Sequence, residues 1–458
     1  MPHSLPSSPK SSSLRNGSNG ITKFTNCRIL KGDRLVEEDL WVSGLHGTII
    51  KSQAAFYDDL VMPDEVIDLG GRIISPGFID CQLNGAFGFN FSTLLDSASY
   101  AKKVKEVNHK LVATGVTSYL PTITSQLPEI YHAALPHLGP SGYAQMAEDG
   151  AESLGAHCEG PFLSTTKNGI HNAEVLIEAS SFADLEACYG ASNLTSSDPH
   201  RPIPIKKITA APEIASMTKL IPEITSRGII YSIGHTEATY EEASAAVAAG
   251  ASMITHLFNA MRPLHHRNPG VFGVLGVAEE SDSPRPYFGI IADGEHLHPT
   301  TIKIAFNAHP EGFILVTDAM HMVGLPDGAY QWTNGDCTSS IVKKGPKLIL
   351  EGSDRIAGSS ITLVECVNNF LAWSGAGIPQ ALRAVTSTPA RMLGLQGTKG
   401  CLDEGADADL VILSETTTSD SSSSVTSGGA GSGAGRQQLV VDEVWKFGSK
   451  VFTRDVAV

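Results

Sequence analysis

The sequence predicts an α/β protein: a closed (β/α)8 barrel of the TIM type with a small β-sandwich domain built from the N- and C-terminal segments. Three observations carry this expectation. Eight short apolar, β-branched runs recur along the middle of the chain, separated by longer helix-forming stretches, the pattern of a parallel sheet covered on both faces. β-rich segments stand near both ends of the chain, where they can pair into one sheet domain. Finally, 458 residues with 45 Gly and 25 Pro suit one large loop-rich domain with attachments better than a helical bundle.

Taken in order, the first residues are rich in Ser, Pro and Asn and too poor in apolar side chains to order themselves, so 1–20 is expected to be a disordered tail. Phe24–Leu30 (FTNCRIL) and Asp39–Ile50 (DLWVSGLHGTII) read as strands of the small domain. The eight barrel runs are GFIDCQLNG from Gly77, GVTSYLPT from Gly115, SLGAHCEG from Ser153, IKKITAAPE from Ile205, IIYSIGHT from Ile229, SMITHLFNA from Ser252, YFGIIADG from Tyr287 and GFILVTDA from Gly312. Helix formers follow several of them, as in Tyr240–Gly250 (YEEASAAVAAG). Eight such units are the count at which a parallel sheet closes on itself. An open doubly wound sheet would want a Gly-rich phosphate turn after its first strand, and Asp80–Gly85 (DCQLNG) is not one. Beyond the barrel, Ala408–Leu413 (ADLVIL) and Leu439–Gly448 (LVVDEVWKFG) are strand-like, with Val441, Glu443, Trp445 and Phe447 alternating as in half-buried strands. Between them the Ser- and Gly-rich stretch Glu415–Arg436 reads as a flexible loop. The expected organisation is a tail at 1–20, a small domain from 21–73 plus 400–458 with its flexible insertion at 415–437, and a catalytic barrel at 74–399.

Forty-eight acidic against 33 basic residues leave a net charge of −15, a field that disfavours nucleic acid and anionic membranes as partners. An anionic small substrate stays compatible, because charges more than about 8 Å away are largely screened at physiological salt. No run of about 18 apolar residues is present to span a membrane, and the N-terminus lacks the apolar core of a secretory signal. The seven cysteines (Cys27, Cys81, Cys158, Cys188, Cys337, Cys366, Cys401) are scattered without a C-x-x-C pair. Reduced thiols, rather than a disulfide scaffold or a structural zinc knot, follow from that spacing. A cytoplasmic protein is expected.

In a parallel barrel the reactive residues sit at the C-terminal ends of the strands. The eight runs end in Gln82 and Asn84, Thr122, Glu159, Glu213, His235, His256, Asp293 with His296, and Asp318. Catalytic zinc sites commonly take two His and one Glu and leave a fourth position for water; Glu159, His235 and His256 supply that set, and Asp318 adds a proton-transfer group. Each residue also has a plainer reading. One His among 16 is more often a surface or core group than a ligand, and Asp318 alone would be a helix cap. His157 suits barrel packing, Asp407 and Asp409 suit a structural turn, and the GGAGSGAG run lacks the strand and helix of a phosphate loop. The joint arrival of a Glu, two His and an Asp at one rim favours chemistry. The basic run Arg262–Arg267 (RPLHHR) after the sixth strand is a candidate grip for phosphate or carboxylate, with a solvated surface loop as the equal alternative.

Together these segments resemble the amidohydrolase superfamily and, within it, the N-acetylglucosamine-6-phosphate deacetylases. The carrying motifs are Pro76–Ser92 (PGFIDCQLNGAFGFNFS), His157–Ser164 (HCEGPFLS) with Lys167–Asn172 (KNGIHN), and Ala211–Glu213 (APE). They continue with Gly234–Tyr240 (GHTEATY), Thr255–Met261 (THLFNAM), His265–Gly270 (HHRNPG), Ala292–Pro299 (ADGEHLHP), Val316–Met320 (VTDAM) and Ile356–Leu363 (IAGSSITL). They fall in family order from about Ile21 onward. Most of the superfamily carries H-x-H at the end of the first strand to hold a second metal; Gln82-Leu83-Asn84 stands there, as in the deacetylases, which implies a one-metal site. By resemblance Glu159, His235 and His256 bind one divalent metal per subunit, with zinc expected and iron, manganese or cobalt also suited to such ligands. Asp318 then acts as general base and acid, and His296 as donor to the substrate carbonyl. Ile170, His171, Asn259, Ala260 and the Ile356–Gly358 turn (Ile356, Ala357, Gly358) contact the sugar. Arg267, with His266, grips the 6-phosphate across a homodimer interface. The implied reaction is hydrolysis of the acetamide of N-acetyl-D-glucosamine 6-phosphate. The rival readings are another amidase of the superfamily or a scaffold protein that has lost catalysis.

Overall fold

The computed structural model describes residues 10, 20–51, 62–196, 202–277, 285–334, 337–418 and 436–455. All eight apolar runs form parallel strands: β1 Phe78–Leu83, β2 Val116–Thr124, β3 Ala156–Glu159, β4 Ile205–Ala210, β5 Ile230–Ile233, β6 Met253–Ile254, β7 Tyr287–Ile291 and β8 Phe313–Val316. They pair in sequence order. The ring closes between β8 and β1 at the C-terminal rim, where the Asp318 amide donates to the Gln82 carbonyl and the Asn84 amide to the Ala319 carbonyl, each at 2.9 Å. Just below, the Thr317 hydroxyl donates to the buried Asp80 carboxylate at 2.6 Å. Burial pushes that carboxyl up to about 6 despite this bond.

The outer helices start and stop where their caps dictate. Tyr240–Ala248 opens on a capping box in which Thr239 and Glu242 satisfy one another's amides. Leu363–Ser374 opens on the same device from Thr362 and Glu365 and ends at Gly375, whose φ of 77° suits glycine. Its Phe370 stacks on Phe313 of β8 at 4.7 Å, sealing helix to sheet. After β6 a 3-10 segment, Gly270–Gly276, occupies the place of an α-helix.

The barrel interior is more polar than the apolar runs suggest. His157 lies between Thr122 (3.1 Å) and Thr209 (2.7 Å), and Thr255 links Thr209 (2.7 Å) to Ser232 (2.6 Å). Lys207 donates to the Cys81 carbonyl at 2.8 Å. Burial, with Lys207 nearby, holds His157 well below its usual range and keeps it neutral, which suits packing rather than metal binding.

The two chain ends meet in two sheets. One orders Thr48–Ile50, Leu40–Ser43, Ile21–Thr25 and Glu65–Asp68; the other orders Ser449–Thr453, Arg436–Lys446, Leu410–Thr418, Ile73–Pro76, Arg28–Lys31 and Arg34–Glu37. Phe24 and Trp445 meet edge-on at 5.0 Å in their shared core. Lys446 and Lys399 sit among Glu152, Asp407 and Asp409, an ion cluster that ties this domain to the base of the barrel and gives Asp407 and Asp409 their structural work.

Several sequence expectations need correction. Most of the stretch 1–20 lies outside the described residues, but Lys10 is buried: its ammonium donates to the carbonyls of Tyr143 (3.0 Å) and Gln145 (3.2 Å) and lies over the Phe447 ring. Glu415–Thr418 and Arg436–Gln437 belong to paired strands rather than to the flexible insertion, because the β-branched Thr run extends the ladder; 419–435, with the GGAGSGAG run, lies outside the described residues. Toward its C-terminal end the strand at 436–446 is buried on both faces rather than half-buried, Val444 and Lys446 being as enclosed as Val441 and Trp445, while Gln437 is exposed and Glu443 only partly covered. A four-stranded antiparallel sheet at Gly328–Asn334, Cys337–Lys344, Lys347–Leu350 and Ile356–Ser359 was not foreseen. It leaves the barrel after β8 and returns where the Met320 amide donates to the Ser359 carbonyl at 2.9 Å. Ile356–Gly358 is therefore a strand of this sheet and not a turn.

Candidate active site

Glu159, the last residue of β3, and His235 and His256, just past β5 and β6, converge on one point. His235 Nε2 and His256 Nε2 lie 3.1 and 3.0 Å from Glu159 Oε1 and 3.0 Å from each other. The Lys167 carbonyl, 2.8 Å from His235 Nδ1, fixes the proton on that nitrogen, so a neutral His235 offers a lone pair at Nε2. Two imidazole nitrogens and a carboxylate oxygen thus face one another, an arrangement that calls for a cation between them. Tetrahedral zinc with ligands at about 2.0–2.1 Å would separate its donors by roughly 3.3 Å, close to the observed spacing. All three side chains are nearly inaccessible. Burial opposes charge on Glu159, but the hydrogen bonds and charges of His235 and His256 hold its carboxyl well below the usual range.

His171 joins this group with an atom within 4.8 Å of Glu159 and His235. Its Nδ1 accepts from the Ser125 amide at 3.1 Å, and burial, then the charge of His235, lowers its pKa to about 3. It is a neutral wall of the site.

Asp318 follows β8 and faces the cluster across Gln82. Its Oδ1 accepts from Gln82 Nε2 at 3.0 Å and from Asn84 Nδ2 at 2.7 Å, while the same Gln82 amide donates to Glu159 Oε2 at 3.0 Å. The residues at the expected H-x-H position therefore fasten the two carboxylates instead of holding a second ion. Burial, and then repulsion from Glu159, raises Asp318 to about 6, the range where a carboxylate can both take and return a proton near neutral pH. His235, His256 and Asp318 all have φ between 25° and 49°, a left-handed backbone that non-glycine residues rarely adopt and that concentrates at functional sites.

These groups line a cavity of about 420 Å3 together with Asn84, Thr124, Ile170, His171, Asn259, Ala260, His296, Met320, Asp354, Arg355, Ile356 and Gly358. Of the expected sugar contacts, Ala357 is absent from the wall because its side chain is buried in the apolar core beneath the antiparallel sheet. His266 and Arg267 are exposed on their loop and do not line this cavity within one chain; sequence proximity to β6 does not bring them inward. Asp354 and Arg355 were missed, since the sheet that delivers them was not foreseen; Arg355 donates to the Gly169 carbonyl. Glu213 accepts from the Thr236 hydroxyl at 2.5 Å and the Glu237 amide at 2.7 Å, which shapes the loop after His235 from outside the cavity.

A closed parallel barrel with this rim of Glu, His and Asp defines a member of the amidohydrolase class, and the amidohydrolase family matches residues 73–430. Over 403 residues the chain is 41% identical to the N-acetylglucosamine-6-phosphate deacetylase of Mus musculus, covering 86% of this chain and 92% of that protein. It superposes on the crystal structure of N-acetylglucosamine-6-phosphate deacetylase from Pasteurella multocida with a TM-score of 0.74 at 27% identity, covering 95% of this chain and 100% of that one. The Mycobacterium smegmatis enzyme, solved as a mutant in complex with N-acetyl-D-glucosamine-6-phosphate, superposes at a TM-score of 0.71, also at 27% identity, covering 95% of this chain and 100% of that one. The chain belongs to the amidohydrolase family, among its N-acetylglucosamine-6-phosphate deacetylases.

Proposed function

We propose that this chain hydrolyses the acetamide of N-acetyl-D-glucosamine 6-phosphate to D-glucosamine 6-phosphate and acetate, in amino-sugar catabolism. The observation that carries this reading is the meeting of three lone-pair donors, Glu159 Oε1, His235 Nε2 and His256 Nε2, within 3.1 Å of one another beside a carboxyl raised to about 6. One divalent cation per subunit, zinc by the donor set, would be held by these three residues and would supply Lewis-acid chemistry, acidifying a water toward about 7. Asp318 takes the proton of the attacking water on Oδ2, since Oδ1 is engaged by Gln82 and Asn84. It then delivers that proton to the nitrogen of the departing amine, which must be protonated to leave. His296 donates a hydrogen bond to the acetamide oxygen as negative charge grows there.

Asn259, Ala260, Ile170, His171, Ile356 and Gly358 border the space for the sugar. The buried Asn259 Nδ2 has no hydrogen-bond partner, so a ligand hydroxyl would complete it. Arg267 and His266, exposed on their own chain, would reach the 6-phosphate from the partner of a homodimer. Among the described residues no helix is long and apolar enough to cross a membrane, and Cys27, Cys81, Cys158, Cys188, Cys366 and Cys401 are free thiols, which suits a cytoplasmic enzyme.

The test is to incubate zinc-loaded protein with N-acetylglucosamine 6-phosphate and to measure acetate and free amine, with the unphosphorylated sugar as control. Stoichiometric release that favours the phosphorylated sugar is expected. No release from either would refute the assignment.

A further inference from the structure

Asn84 has a free end that the reaction as described above leaves unused. The residue follows β1, and its backbone is pinned on both sides: its amide donates to the Ala319 carbonyl at 2.9 Å, and its own carbonyl accepts from the Phe91 amide at 3.1 Å. Its side-chain Nδ2 donates to Asp318 twice, to Oδ1 at 2.7 Å and to the backbone carbonyl at 3.2 Å. A backbone carbonyl only accepts, so the NH2 end of Asn84 must lie against Asp318 and Oδ1 must be the carbonyl at the other branch. The residue is buried and lines the cavity of about 420 Å3, yet Oδ1 has no hydrogen-bond partner. A buried carbonyl oxygen left bare is costly, and a donor from outside the chain is what completes it.

We propose that Asn84 Oδ1 accepts the N–H of the substrate acetamide, which makes Asn84 a specificity-determining residue for secondary amides. This rests on the acetamide-hydrolase reading above. The nitrogen that Asp318 protonates carries one hydrogen, and the side chain that fastens Asp318 by its NH2 presents its oxygen beside that carboxyl. The contact transfers nothing. The N–H proton stays on the nitrogen, and the proton from Asp318 goes to the nitrogen lone pair as the C–N bond breaks, which gives the primary amine. With the N–H engaged by Asn84, the lone pair is left for Asp318. A site that pairs its own buried oxygen with a substrate N–H rejects compounds without that hydrogen, because the oxygen then stays bare. Acetate esters and N-alkylated acetamides are therefore the disfavoured classes.

The test compares N-acetylglucosamine 6-phosphate with its N-methyl analogue, in which a methyl group replaces the amide hydrogen while the nitrogen must still be protonated to leave. Zinc-loaded wild type is expected to prefer the parent sugar in kcat/KM. In Asn84→Ala both substrates lose rate because Asp318 is less firmly held, and the preference itself is expected to shrink about tenfold or more, the worth of one hydrogen bond. A preference unchanged by the substitution would mean that Asn84 serves only to hold Asp318, with water on Oδ1, and would overturn the proposal. A second readout needs neither turnover nor that variant: proton NMR of the parent sugar, nitrogen-15-labelled at the acetamide and bound to zinc-loaded Asp318→Asn. The asparagine there keeps an oxygen for Gln82 and Asn84 and offers the sugar nitrogen an NH2 instead of an acceptor, so a hydrogen-bonded N–H reports on Asn84. A bound N–H resonance downfield of that of the free sugar is expected; one at the free position would overturn the proposal even if Asn84→Ala fails to fold. A wild type that releases no acetate from the parent sugar would refute the deacetylase reading instead, so the two failures are distinguishable.

Discussion

Replacing Asp318 by Asn separates what this carboxylate does for chemistry from what it does to stability. The side chain is buried, and its folded pKa of about 6 stands above the ordinary 3.8. The native state therefore holds this proton more tightly than the unfolded chain does. Stability falls as pH rises from about 3.8 to about 6 and stays lowered above that. Roughly two pKa units at about 1.4 kcal/mol each put the penalty on the order of 3 kcal/mol in the metal-free protein. An asparagine is isosteric, and its oxygen can still accept from Gln82 and Asn84, so the penalty disappears while the contacts persist. In thermal melts of metal-free protein at pH 8 the variant should unfold several degrees higher than wild type, and the gap should shrink toward pH 4. The zinc-loaded variant should nonetheless lose on the order of 10²- to 10⁴-fold in kcat, the usual share of general acid–base catalysis. Near-normal turnover would remove Asp318 from the proton path, and a lower melting point at pH 8 would refute the claim that its charge is buried at a cost.

Other expectations follow from the same geometry. In the loaded wild-type enzyme, kcat/KM should fall with unit slope on the acid side at or below about pH 6 as Asp318 takes a proton; a bound cation moves the limb lower, never higher, so a limb well above pH 6 would assign it to another group. Chelation should abolish activity, with about one zinc per chain restoring it, and Glu159→Gln should lose the metal by elemental analysis because the shared carboxylate oxygen is weakened. Arg267→Ala should raise KM for N-acetylglucosamine 6-phosphate far more than for the free sugar; equal effects in the kinetics would remove the phosphate grip. Lys446→Met should cost about 3–5 kcal/mol in denaturant melts, since it leaves Glu152 and Asp409 short of a buried partner, while kcat of the folded fraction stays unchanged.

How much of this was legible depended on whether the information lay along the chain or across it. The eight barrel strands were readable because each is a continuous apolar run, and their last residues identified Glu159, His235, His256 and Asp318 because a parallel barrel brings all its strand ends to one rim. The antiparallel sheet at 328–359 was not readable. Its segments GAYQWTN and CTSSIVKK alternate weakly and are rich in polar residues, so nothing in them separates a sheet over the rim from a loop. Arg355 and Asp354 went unseen with it. The work of Gln82 was hidden for a different reason: its amide joins Glu159 and Asp318, residues 77 and 236 positions away, and no local pattern encodes such a bridge. Arg267 is a case that one chain leaves open: the sequence reading places it at the phosphate across a homodimer interface, and in its own chain it is exposed on the loop after β6, outside the cavity.

The site and the closure of the barrel are one structure, and this accounts for the strain found there. Asp318 offers its side chain to the cavity and its backbone amide to Gln82 across the β8–β1 seam, while the Gln82 side chain returns to Asp318 and on to Glu159. Holding His235, His256 and Asp318 at positive φ costs of order 1–3 kcal/mol each, and only surroundings that fix each turn by other bonds can keep them so. The Lys167 carbonyl does this for His235, the seam does it for Asp318, and for His256 the flanking amides of Thr255 and Leu257 do it by donating to the Ile233 and Gly289 carbonyls, each at 2.9 Å; the His256 ring, however, is held less, its Nδ1 being buried without a partner. A cation that ties His256 Nε2 to Glu159 and His235 would supply what that residue lacks. Metal loading should accordingly raise the melting temperature, and its largest local effect on hydrogen exchange should fall on the segment after β6 rather than on those after β5 or β8. Uniform protection of the three segments would mean that the bare site is already equally rigid at each of them.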